Sequence, residues 1–127
     1  MIQDNPLRGV GAGVLPTAML AAYPDFEYFY QPAHVVILVV AAETGLIGAV
    51  AYAVLTLAPW ALLWKVRRRL TPELIGVAGA FMALTVIGLF DYYTWSLMAG
   101  RFWFWLVLGL FVVAYRRAER QEADAST

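Results

Sequence analysis

Two polar side chains stand out in a largely apolar stretch, and both could do chemistry. His34 is the only histidine of the chain, and it precedes the run 35–64, in which Glu43 is the only charged residue. A histidine can take a proton from a hydroxyl near neutral pH, so His34 is a candidate general base. A carboxylate inside a membrane-like run is costly unless it faces protein or water, which makes Glu43 a candidate functional residue. The alternative for both is a structural role: an interfacial histidine, and a carboxylate satisfied by a neighbouring helix.

Other chemistries have little support in the sequence. The chain has no cysteine, which removes thiol catalysis, disulfides and cysteine metal sites. One histidine without clustered carboxylates makes a poor metal site. Gly9, Gly11 and Gly13 form a glycine-rich segment, but neither a preceding strand nor a Walker lysine accompanies it, so nucleotide binding is disfavoured. We therefore expect no metal, no cofactor and no nucleic-acid partner.

The elements that must position these residues are membrane helices. The chain is 62% hydrophobic, and its apolar residues fall into runs at 35–64, 74–90 and 95–115. Runs of about 20 apolar residues predict spanning helices, although the third is short unless it includes Arg101. The fold class is therefore all-α integral membrane, with about three transmembrane helices. An extracytoplasmic loop segment, 1–33, precedes the membrane domain, 34–115, and a cytoplasmic tail, 116–127, follows it. Within this tail, the stretch 118–127, AERQEADAST, is predicted to be solvated and disordered.

Basic clusters predict the orientation of the spans. KVRRR follows the first run and RRAER follows the third, and positively charged loops stay in the cytoplasm. Residues 1–34 and the turn 91–100 are then extracytoplasmic. Aromatic residues fit an interfacial belt on that side; they are Tyr23, Phe26, Tyr28, Phe29, Tyr30, Tyr92, Tyr93 and Trp95. Prolines in the first 33 residues predict a loop with short interfacial helices, one of them at 14–22.

Helical geometry separates the two polar residues. If the first span is a straight helix, His34, Gly45 and Gly48 share one face, and Glu43 points to the opposite side about 13 Å deeper. His34 and Glu43 then do not form a catalytic pair. The two glycines would let another helix pack closely beneath the histidine.

These residues together resemble the O-antigen ligase and polymerase superfamily. The pattern His34-Val35, nine residues, then Gly45-Leu46-Ile47-Gly48 is similar to the family signature of histidine, a polar residue, nine residues, glycine, two residues and glycine. Glu43-Thr44-Gly45 looks like its acidic-x-glycine element. The stretch 6–13, PLRGVGAG, is similar to the glycine-rich segment that precedes the histidine, and Asp91 is similar to a recurrent aspartate.

The resemblance implies a membrane glycosyltransferase. Its members transfer a glycan from an undecaprenyl-diphosphate carrier to a glycan or lipid acceptor on the outer face of the bacterial cytoplasmic membrane, without a metal. His34 would be the general base, and Arg8 and Arg101 would be the extracytoplasmic arginines available to the diphosphate. Glu43 and Asp91 would be further substrate-binding residues, and Gly9, Gly11, Gly45 and Gly48 would be structural residues of the motif.

Two departures from the family limit what it implies. Val35 replaces the usual polar residue, and three spans stand where the family has about a dozen. The chain therefore looks like the C-terminal part of such an enzyme, inactive alone and dependent on upstream helices from the same gene or from a partner. The alternative is a small, non-enzymatic three-span accessory protein. A transporter or channel is a third possibility, for which Glu43 is the only support.

Overall fold

The computed structural model of the protein describes residues 2–3, 5–25, 31–68 and 70–125. Arg69 of the first basic cluster and residues 26–30 of the aromatic belt lie outside the described part. These residues form five helices: α1 (Leu15–Ala22), α2 (Val36–Lys65), α3 (Pro72–Phe90), α4 (Tyr93–Ser96) and α5 (Met98–Ala125).

Three of these helices are long and apolar enough to cross a membrane: α2, α3 and the stretch Met98–Gln121 of α5. The predicted all-helical membrane fold is therefore confirmed, together with a short helix, α1, near the N-terminus. Local chemistry sets the start of α3, because Pro72 occupies the first turn and the Thr71 hydroxyl accepts a hydrogen bond from Leu74 N at 3.2 Å. The chain leaves α3 at Asp91, which has extended backbone angles.

The third span differs from its prediction at both ends. The residues around Trp95 form the separate one-turn helix α4, and α5 begins only at Met98 and includes Arg101. The prediction of a disordered tail from residue 118 is wrong up to Ala125, since α5 continues to that residue. Alanine, glutamate, glutamine and arginine dominate this stretch, and all four are strong helix formers, so a polar composition did not mean a break in the helix.

The core consists of three clusters stacked along the bundle. At the end where α2 begins and α3 ends, which we call the His34 end, Leu15, Val39 and Ala42 are buried with Tyr92 and Trp95 against them. The middle cluster is aromatic and contains Phe81, Phe104, Tyr52 and Trp60. At the opposite end, Leu74, Phe111, Ala114 and Ala118 pack beneath Leu62 and Leu63.

α2 is not a straight helix. Gly45 has φ 72° and ψ −173°, which is not helical, so two helical segments meet at this residue. His34 lies outside the helix altogether, because Val35 before its first residue is extended. The sequence-based assignment of helix faces assumed a straight helix from His34 to Gly48, and it therefore does not hold.

Candidate functional site

An N-terminal loop fills the break in α2. In a regular helix the N–H of Leu46 would donate to the carbonyl of Ala42. Here Leu46 N donates to Pro6 O at 2.8 Å, and Ala42 O accepts from Val10 N at 2.9 Å. Gly11 N adds a bond to Glu43 O at 2.8 Å. Irregular backbone is tolerated at membrane depth only where protein or water satisfies its polar groups, and this loop does so.

Two glycines make this close approach possible. A Cβ on Gly45 would collide with the backbone of Leu7 and Arg8, and a Cβ on Gly9 would collide with the backbone of Glu43. Both residues also have positive φ, which disfavours any side chain. The glycine-rich segment and the acidic-x-glycine element are thus two halves of one contact. The predicted helix neighbour at Gly45 is wrong, because a loop and not a helix lies against it.

Glu43 ties this contact to a third segment of the chain. Its side chain is 4% exposed. Its Oε2 accepts one bond from Gly13 N at 2.9 Å and one from the indole Nε1 of Trp95 at 2.8 Å. One carboxylate oxygen therefore holds the loop, α2 and α4 together. Its hydrogen-bond partners are a loop amide and the indole of the one-turn helix α4, whereas the structural alternative expected a neighbouring helix of the bundle.

Beside this carboxylate lies a cavity of about 300 Å³. The residues that line it include Gly13, Glu43, Trp95, Ser96 and Arg101. The Ser96 hydroxyl is buried and has no hydrogen-bond partner among the described residues. The cavity therefore brings together a carboxylate, a guanidinium and an unpaired hydroxyl at the His34 end.

His34 lies at the same end but is more exposed. It sits in the short non-helical turn before α2, and its ring centroid is 5.4 Å from that of Tyr92, with the planes tilted by 45°. Asp91, next in sequence to Tyr92, is half-buried at the end of α3. His34 therefore packs against the residue that follows Asp91 in the sequence.

The remaining predicted residues have distinct positions. Arg8 is exposed on the loop that enters the α2 break, and Arg101 is exposed at the start of α5 while lining the cavity. Gly11 contributes its backbone to the loop contact. Gly48 faces the side chain of Thr44 one turn earlier in its own helix, and the atoms nearest to it belong to that side chain. No group of three or more potential metal ligands is found within the described residues.

Sequence reasoning missed the roles of Trp95 and Ser96. Trp95 was assigned to an aromatic belt, whereas its indole N–H is bonded to Glu43. Ser96 carried no signal beyond its residue type, and Gly13 was placed in the glycine-rich segment without its bond to Glu43. A tryptophan that follows the second span closely, with one acid buried in the first, was the available hint, since buried indoles need an acceptor.

Comparison of the chain with protein-family models, curated proteins and solved structures gives no match.

Proposed function

We propose that this chain carries the acceptor-activating site of a membrane glycosyltransferase that resembles the O-antigen ligases and polymerases, with His34 as the general base. The observation that carries the proposal is the meeting of separated sequence elements at one end of the bundle. The glycine-rich loop contacts Glu43 and Gly45 through backbone bonds, and His34 contacts Tyr92 beside Asp91. These are the elements on which the resemblance rests.

The proposed reaction requires one proton acceptor beside a hydroxyl. The imidazole of His34 removes the proton of the acceptor hydroxyl while its oxygen attacks the anomeric carbon of the glycan. The bond from that carbon to the diphosphate oxygen breaks, and the carrier diphosphate leaves with the electron pair. The histidine then passes its proton to water. An exposed side chain in a turn can reach a substrate without a conformational change, which fits the position of His34.

Charge favours Arg8 over Arg101 as the diphosphate ligand. Arg101 shares its cavity with the Glu43 carboxylate, and that negative charge opposes a dianion. Arg8 is exposed on the loop that enters the α2 break. We therefore assign the diphosphate contacts to Arg8 and a separate role to the Arg101 cavity.

The proposed orientation places the His34 end on the outer face of a bacterial cytoplasmic membrane. Basic residues at the opposite end support this orientation, because positively charged loops remain in the cytoplasm. The described basic residues there are all exposed; they are Lys65, Arg67, Arg68, Arg116, Arg117 and Arg120. Partners would then include the lipid-linked glycan donor, the acceptor, and further helices that complete the donor groove.

The test is glycan transfer in membranes of cells that produce the protein, where any partner helices are present. His34→Ala should lower transfer at least about 100-fold, the usual contribution of a general base. Gln31→Ala is the matched control, since this residue is also polar and exposed just before α2. A photo-crosslinker at Ala33 should capture lipid-linked glycan. Retained transfer in His34→Ala would remove the histidine from the mechanism.

One observation favours the alternative of a non-enzymatic assembly subunit. Only 11% of the apolar window of α3 is buried, so most of this helix faces lipid or other helices. Pull-down of a stable membrane complex, combined with no crosslink from Ala33 to glycan, would favour that alternative.

A further inference from the structure

The cavity at the His34 end has an unusual balance of charge. Among the described residues that line it, only Glu43 and Arg101 are charged, and no ion pair joins them. An anion alone would be repelled by Glu43, and a cation alone would be repelled by Arg101. A ligand that carries both charges matches both residues.

The hydrogen-bonding groups define the cationic part of that ligand. Both bonds to Glu43 go to Oε2, which leaves Oε1 without a bond from the described residues. The Ser96 hydroxyl is also unsatisfied. Buried polar atoms are normally paired, so the unpaired Ser96 hydroxyl, which lines the same cavity as the Glu43 carboxylate, indicates a missing partner. A primary ammonium has three N–H donors and can serve both oxygens, whereas a trimethylated ammonium has none.

Arg101 defines the anionic part. Its guanidinium is exposed at the start of α5 and presents a fork of donors suited to a phosphate. The cavity, at about 300 Å³, is much larger than one water needs and admits a group of several heavy atoms. It lies at the His34 end, two turns into α2 and beside the junction of α4 and α5, within reach of the lipid headgroups at the helix ends.

We propose that this cavity binds the headgroup of an ethanolamine phospholipid. The ammonium donates to Oε1 of Glu43 and to the Ser96 hydroxyl, and the phosphate accepts from Arg101. A neutral sugar needs neither charge, and a diphosphate has no donor for Glu43. The assignment does not depend on glycosyl transfer, since lipid binding is measured without any glycan.

The test uses the full chain purified in detergent and titrated with lipids, with bound lipid detected by native mass spectrometry. The probes are phosphatidylethanolamine, phosphatidylcholine and phosphatidylglycerol with identical acyl chains. The ethanolamine lipid should bind about tenfold more tightly than either of the others, because only its ammonium has N–H donors. Equal affinity for the three lipids would overturn the proposal.

Three variants locate the binding at the cavity. Arg101→Ala should weaken ethanolamine-lipid binding about tenfold, and Ser96→Ala about threefold. Arg120→Ala, which removes an exposed arginine far along α5, should leave the affinity unchanged. Equal losses in Arg101→Ala and Arg120→Ala would indicate non-specific attraction and refute the site. Neither cavity variant removes a bond that holds the loop, so folding remains intact.

A soluble competitor distinguishes a lipid from a free metabolite. O-phosphoethanolamine carries the same two charges without acyl chains. The lipid assignment predicts that millimolar O-phosphoethanolamine displaces little of the bound lipid, since the chains add apolar contact with the helices. Binding of the soluble compound as tightly as the lipid would refute a lipid headgroup as the occupant.

Discussion

Replacing Gly45 with alanine should detach the N-terminal loop from α2. The native residue has φ 72° and ψ −173°, a region open almost only to glycine. Holding another residue there costs about 1–3 kcal/mol. The new methyl group would also meet the backbone of Leu7 and Arg8, so the strain cannot be relieved without moving the loop.

The consequence can be measured at the loop amides. Val10 N and Gly11 N donate to carbonyls of α2, and opening of the loop exposes both to exchange. A strain of about 2 kcal/mol lowers the opening free energy by the same amount, which corresponds to about 30-fold faster exchange, since about 1.4 kcal/mol is tenfold. Hydrogen–deuterium exchange of the peptide that contains these amides, with the protein in nanodiscs, reports the change directly.

A matched control separates this effect from glycine loss in general. Gly79→Ala lies within α3, and a Cβ there meets nothing within 4 Å. Alanine favours a helix more than glycine does, so this variant should exchange as slowly as the wild type or more slowly. Loop exchange in Gly45→Ala at the wild-type rate would refute the claim that the break depends on glycine. Equally fast loop exchange in Gly79→Ala would refute the claim that the effect arises at the α2 break.

Two further variants test the indole–carboxylate bond and the aromatic core. Trp95→Phe keeps an aromatic ring but removes the hydrogen bond to Glu43, so it should lower the free energy of unfolding by about 1.5–3 kcal/mol. This loss should appear as a lower melting temperature in detergent. Trp103 is exposed, so Trp103→Phe should melt at the wild-type temperature. Phe111 is 1% exposed, so Phe111→Ala should lower the free energy of unfolding by about 3–5 kcal/mol in the same melting assay. Val113 is 49% exposed, so Val113→Ala should lower it far less. Equal melting of a variant and its control would contradict the packing described.

The site joins residues that are far apart in the sequence. Gly13 and Trp95 lie 30 and 52 positions from Glu43, and both donate to one of its oxygens. The sequence identified Glu43 as unusual, because an ionisable residue within an apolar run is visible in a single segment. It did not identify the partners, because a loop glycine and an interfacial tryptophan have many common roles.

The sequence by itself determined the three spanning helices and their order. Hydropathy is a property of each segment, and a membrane span needs only enough consecutive apolar residues, so runs near 35–64 and 74–90 were found within two residues of α2 and α3. The start of α3 at Thr71-Pro72 is also set by local chemistry, since a helix cap involves only neighbouring residues. The elements that mark the candidate site were named from the family resemblance.

Only the tertiary structure decided how those elements meet. The break at Gly45 depends on a loop more than thirty residues earlier, whose backbone replaces helical hydrogen bonds. Periodicity reports which side chains are apolar, and it carries no information about backbone bonds exchanged between distant segments. The face assignment for His34 and Glu43 failed for this reason. The cavity between Glu43, Ser96 and Arg101 follows from the same contact, because its walls come from the loop, α2, α4 and α5.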